Sequence, residues 1–150
     1  MLTLTKTDST NSDFISLVRL LDQDLAIRDG EDHAFYAQFN KIASIKHVVV
    51  AYQDGVAAGC GAIKPFDEGV AEVKRMFVHP DFRRQGVAKA VLKALEAWAH
   101  ELKYKTTILE TGNKQPEAIA LYRSNGYRQI PNYGQYAGVE NSLCFEKVLT

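Results

Sequence analysis

The stretch Arg83-Arg84-Gln85-Gly86-Val87-Ala88 concentrates residue types that suit a phosphate ester. Two guanidinium groups bring positive charge, Gly86 lets the backbone approach a ligand closely, and Ala88 leaves that approach unblocked. Immediately afterwards, Val87, Val91, Leu92, Leu95, Trp98 and Leu102 recur on one face of a long amphipathic helix. The first N–H groups of a helix lack internal partners, and its dipole favours negative charge there. The turn therefore reads as a cradle for a diphosphate. It has neither the Gly-Lys-Ser/Thr ending of a P-loop nor the three glycines of the dinucleotide fingerprint. Taken alone, the hexapeptide also fits an ordinary solvated turn.

The elements that must position this turn follow from periodicity. Residues 2–6 alternate weakly and suit a sheet edge, whereas Phe14, Leu17, Val18, Leu21 and Leu25 recur at helical spacing after the capping residues 8–11. Residues 28–32 interrupt that helix, and a second helical stretch is expected around Phe35, Tyr36 and Phe39. Residues 47–52, 56–63 and 70–78 read as three strands joined by the turns Asp54-Gly55 and Glu68-Gly69, an antiparallel meander. His79-Pro80 ends the third strand. After the long helix come a strand at 106–111, a helix from Pro116 through Ser124, and a closing strand pair at 127–133 and 142–148. A strand-helix-strand connection returns parallel and right-handed, which puts the helix start at the carboxyl end of the first strand, where ligands usually bind.

Composition bounds the function. The chain has 150 residues, 46% hydrophobic and 24% charged, which suits one globular domain spanning 1–150 with a real core. Its 18 basic and 18 acidic side chains cancel, which argues against a nucleic-acid partner held by a general basic field. His33, His47, His79 and His100 are scattered without metal-ligand spacing, so no metal is expected. Cys60 and Cys144 read as buried thiols of a reducing compartment. Residues 1–5 lack the regions of a signal peptide and no apolar run is long enough to span a membrane, so the expected setting is the cytoplasm without membrane attachment.

The longer stretch from Val73 through Val78-His79-Pro80 to Arg83-Arg84-Gln85-Gly86-Val87-Ala88 resembles the central motif of the GNAT family of N-acetyltransferases. That motif is an apolar strand, Val-x-Pro, a short arm, then Arg/Gln-x-x-Gly-x-Gly/Ala. Leu109-Glu110-Thr111, Ala118-Ile119-Ala120-Leu121-Tyr122 and Asn125-Gly126-Tyr127 resemble the second half of the family pattern. The resemblance spans residues 48–148. It implies a GNAT-like α+β fold: a mixed, mostly antiparallel sheet of about six or seven strands flanked by helices, with the parallel pair 70–78 and 106–111 forming the acyl-CoA cleft.

The resemblance also implies residue roles. The diphosphate of acetyl-CoA would lie on the turn Arg83, Arg84, Gln85, Gly86, Val87, Ala88 and Lys89, mainly on its amides from Arg84 onward. The pantetheine arm would pair with the backbone of Met76, Phe77 and Val78, and one N–H there would polarise the thioester carbonyl. Tyr122 matches the tyrosine that protonates the leaving thiolate, a task open to a phenol that stays protonated at neutral pH. The attacking amine must lose a proton, and the candidate bases are Glu72, on the strand before the turn, and Glu110, where the family commonly carries an acidic residue; each could instead be an ion-pair partner, for example of Lys74 or Arg75. Where the family commonly has an asparagine contacting CoA, this chain has Gln115, with Asn113 two residues earlier, and either amide could serve.

The function implied is transfer of an acetyl group to a primary amine of a small molecule, of amino acid, polyamine or amino sugar type. The alternatives are acetylation of a protein or peptide, and a catalytically weak acyl-CoA-binding sensor. The acidic loop 29–33, with Phe35, Tyr133 and Tyr136 as aromatic walls, is the expected acceptor side. A monomer and a homodimer both fit the sequence.

Overall fold

The computed structural model describes residues 1–30 and 44–150. The expected second helical stretch, the acidic loop at 31–33 and Phe35 lie outside them. Asp54 and Gly55 take φ 51° and 85°, the paired positive values of a tight hairpin, and so join β2 (His47–Gln53) to β3 (Val56–Asp67). Gly69 makes the next turn, into β4 (Val70–Val78). With β1 (Leu2–Thr7), β5 (Thr106–Gly112), β6 (Arg128–Ile130) and β7 (Ser142–Val148) they form one sheet in the order β1-β2-β3-β4-β5-β7-β6. Every neighbouring pair is antiparallel except β4 and β5. The mixed sheet with its parallel pair is the one expected.

The helices lie on opposite faces because strand side chains alternate. Helix α1 (Ser12–Asp29) begins where Asn11 Oδ1 accepts the N–H of Phe14 at 2.9 Å, a side-chain cap. Its residues Phe14, Leu17, Val18 and Leu21 pack on Val48, Val50, Cys60, Ala62 and Phe77. Helix α2 (Val87–Glu101) packs Val87, Val91, Leu92 and Leu95 on Val49, Ala51, Ile63 and Val73. Each such buried Leu or Val stabilises the fold by roughly 1.5–3 kcal/mol. Gly59 and Gly61 on β3 let α2 come this close: a Cβ at Gly59 would sit 2.8 Å from Val87 Cγ1, and one at Gly61 2.8 Å from Leu95 Cδ1. Helix α3 (Pro116–Ser124) follows β5, with Pro116 in its first turn.

Two strands differ from expectation. β3 continues to Asp67 because it stays paired with β4 as far as Asp67 and Val70; it has passed the end of β2 there, so Pro65 needs no donor on that side. β6 stops at Ile130, because Pro131 cannot continue the ladder; a 3-10 turn at Gly134–Tyr136 follows.

The parallel ladder is short. It pairs Val70, Ala71 and Glu72 with Thr106, Thr107 and Ile108, and no further. Beyond it, β4 carries a bulge: Arg75 and Met76 together oppose the single residue Gly61, and Arg75 sits at φ 58°. The rest of β4 leaves the ladder with β5, and a cleft opens between them.

Candidate active site

One end of the cleft is the turn into α2. Gly86 is the N-cap residue at φ 79°, and no side chain caps the helix. A Cβ placed there would meet nothing within 4 Å, so the approach to the first amides is open. Val87 is buried and anchors the helix start, Ala88 is half-buried, and Arg83, Arg84, Gln85 and Lys89 are exposed around it. Arg84 also has positive φ, 64°. Arg83 turns back instead: its Nε donates to the Val78 carbonyl at 3.2 Å, and its guanidinium lies 5.7 Å from the Phe77 ring. It ties the turn to the end of β4.

The cleft itself is walled by Val73, Lys74, Arg75 and Met76 of β4, by Glu110, Thr111 and Gly112 of β5, and by Gln115, Ala118 and Tyr122 from α3 and its cap. Leu21 and Leu25 of α1 close its far side. It thus passes through the sheet, since Tyr122 packs with the α2 core and Leu21 with the α1 core. Phe77 is buried in the α1 core and Val78 is half-buried at the strand end.

Tyr122 is 5% exposed. Burial, then the charge of Glu110, holds its phenol well above the ordinary tyrosine value, so it stays protonated and able to donate. Glu110 and Tyr122 share the cleft wall; Glu72 lies apart from it. Glu72 is 2% exposed, accepts the phenolic proton of Tyr133 at 2.7 Å, and has Lys64 Nζ at 3.8 Å. Of the two amides, Gln115 reaches the cleft. Asn113 does not: its N–H donates to the Asn141 carbonyl at 2.8 Å and its side-chain nitrogen lies 3.4 Å from Asn141 Oδ1.

Tyr133 and Tyr136, in and beside the 3-10 turn, cover the face on which Glu72 and Lys74 stand. Their phenols are also raised above the ordinary value, first by burial and then by the carboxylates, Glu72 for Tyr133 and Glu110 with Glu72 for Tyr136. Lys74 donates to Tyr136 Oη over 3.5 Å. Sequence reasoning placed Lys74 and Arg75 only as ion-pair partners of the glutamates. The structure instead pairs Arg75 with Asp22 of α1, Nη2 to Oδ1 2.5 Å, and brings Lys74 into the cleft. A polar residue two positions after Glu72 on a strand was the available signal for Lys74; an arginine in a left-handed bulge leaves none. Cys60 and Cys144 are free thiols, pushed up by burial to about 12 and about 11. Among the described residues, no cluster of three or more His, Cys, Asp or Glu could hold a metal. None of their helices is long and apolar enough to cross a membrane.

A helix start open to an anion, beside a strand released from its neighbour, suits a long thioester with a diphosphate at one end. The sequence profile of the Acetyltransferase (GNAT) family matches residues 14–127. The chain belongs to the GNAT acetyltransferases. This GNAT enzyme is an acyl-CoA-dependent N-acyltransferase with acetyl-CoA as co-substrate. It is 39% identical over 102 residues to the IAA acetyltransferase of Azospirillum brasilense, covering 67% of each protein. A solved structure from Klebsiella pneumoniae, assigned as an acyl-CoA N-acyltransferase, superposes with a TM-score of 0.84 at 32% identity, over 100% of this chain and 99% of that one. The PaiA N-acetyltransferase of Thermoplasma acidophilum, solved in complex with coenzyme A, shares the fold at 14% identity, with a TM-score of 0.71 over 99% of both chains.

Proposed function

We propose that this GNAT enzyme transfers the acetyl group to the primary amine of a small molecule, of amino acid, polyamine or amino sugar type, by direct attack. The observation that carries the reading is the cleft through the sheet, with Tyr122 and Glu110 on its wall. Acetyl-CoA supplies an activated acyl group. The amides from Arg84 to Lys89 hold its diphosphate, with Arg83 fixing the turn, and Gln115 rather than Asn113 contacts it from α3. The backbone of Met76, Phe77 and Val78 holds the pantetheine arm on the side of β4 that β5 has vacated. One N–H there stabilises the negative charge that builds on the thioester oxygen as the amine attacks.

Glu110 takes the proton that the ammonium form must lose, directly or through a water. Tyr122 gives its proton to the departing sulfur as the C–N bond forms and the C–S bond breaks. Glu72, buried and held by Tyr133, positions the acceptor side. Two free buried thiols suit a cytoplasmic setting, and the chain acts as one acyltransferase unit.

A thiol-release assay across amino acids, polyamines, aminoglycosides and N-terminal peptides tests this. Release with small amines is the expected result. Transfer only to peptides, or tight acetyl-CoA binding without transfer, overturns it.

A further inference from the structure

Lys74 stands two residues after Glu72 on β4, so both side chains leave the same face of the sheet, under Tyr133 and Tyr136. Lys74 lines the cleft, as Glu110 does. Burial pulls its pKa below the ordinary lysine value, against the opposing charges of Glu72 and Glu110. Among the described residues, no carboxylate reaches it at ion-pair distance. Glu72 is held by Tyr133 and has Lys64 nearer, while Arg75 next door is taken by Asp22. The hydrogen bond to Tyr136 is long, 3.5 Å, and the Tyr136 ring centre lies 6.0 Å away. Both are weak returns for the desolvation of an ammonium.

A partly desolvated cation facing a substrate cleft is a binding group for an anion. Resting on the reading of a small-molecule acceptor, we propose that Lys74 receives a carboxylate carried by that acceptor, so the preferred substrates are amino acids or related amino carboxylates. The acceptor then spans the cleft as a zwitterion, with its carboxylate on Lys74 and its amine toward Glu110. A polyamine would bring a second ammonium against Lys74, and like charges there repel. An amino sugar would offer only a neutral hydroxyl, a weaker partner than a charged acceptor.

The test uses amino acids, each paired with its decarboxylated amine and its primary amide, with free thiol as the readout. The wild-type protein should favour the carboxylate member by about 10- to 100-fold in kcat/KM, the scale of one charged hydrogen bond. Lys74→Gln should collapse that ratio. Lys74→Arg should keep most of it, because a guanidinium binds carboxylate but does not accept protons at neutral pH. Thermal unfolding registers the fold of both variants, and the wild-type ratios decide the matter without either.

Equal rates on carboxylate and decarboxylated acceptors overturn the proposal and leave the small-molecule reading standing. So does a Lys74→Gln variant that slows both in the same proportion. Transfer to peptides alone overturns both.

Discussion

Arg75 Nη2 lies 2.5 Å from Asp22 Oδ1, joining the bulge of β4 to the middle of α1 across 53 positions of sequence. A non-glycine residue in the left-handed region costs about 1–2 kcal/mol. Here that cost is offset by the ion pair and by the Cys60 thiol, whose Sγ approaches the Arg75 carbonyl at 3.5 Å. The bulge in turn lets β4 part from β5, so the tie between Arg75 and Asp22 holds the cleft open.

Asp22→Ala should therefore destabilise the protein by about 1–3 kcal/mol, less than for a pair buried on both sides, because Asp22 is half exposed while Arg75 is not. Urea unfolding measures it, and acetyl-CoA affinity should fall along with stability. A variant of wild-type stability and affinity would show that the bulge stands without this tie.

Gly86 separates backbone strain from ligand binding. Its φ of 79° sets a cost of about 1 kcal/mol for Gly86→Ala, although a Cβ there meets no atom within 4 Å. Gly86→Glu carries the same strain and adds bulk and negative charge where the proposed site receives the diphosphate. Calorimetry should find acetyl-CoA binding abolished in the folded glutamate variant. Unchanged affinity there would move the cofactor site elsewhere.

Tyr122→Phe should lower turnover by roughly 100-fold or more while acetyl-CoA affinity changes little. Since burial and Glu110 raise the phenol, it keeps its proton through the ordinary titration range near pH 10. The wild-type rate should accordingly rise with pH as the acceptor amine deprotonates, with no descending limb from Tyr122 below about pH 10. The phenols of Tyr127, Tyr133 and Tyr136 are raised as well. Above about pH 10 the unfolded chain releases protons that the folded one retains, so stability should drop there. Equal turnover in the two proteins would remove Tyr122 from the mechanism.

The two glutamates should part company. Glu110→Gln should cut kcat by about 100-fold or more, because it stands on the cleft wall with Tyr122. Glu72→Gln should act more on stability, by roughly 1–2 kcal/mol, since it weakens a charged acceptor for Tyr133 in a buried site. Steady-state kinetics and urea unfolding of both variants give the ranking, and its reversal would exchange their roles.

What the sequence determined by itself was whatever depends on neighbours a few positions apart. Asp54-Gly55 specifies its hairpin, the apolar stripe of Val87, Val91 and Leu95 specifies α2, and Gly86 after two arginines gives that helix a start with no side-chain cap. Those signals, with the run ending in Leu121-Tyr122, were enough for the fold and for a family whose co-substrate is acetyl-CoA. The tertiary structure alone decided which side chains meet across the cleft. Nothing local distinguishes Glu110 from Glu72 or Gln115 from Asn113; the end of the β4–β5 ladder and the link from Asn113 to Asn141 do so. Gly59 and Gly61 gain their purpose only when α2 lies against them. The turn at Gly86 is legible because its physics sits in one peptide segment. The acceptor side is not, because the fit there arises from contacts between β4, β5, α1 and the turn bearing Tyr133 and Tyr136, and folding has to assemble those before any of them exists.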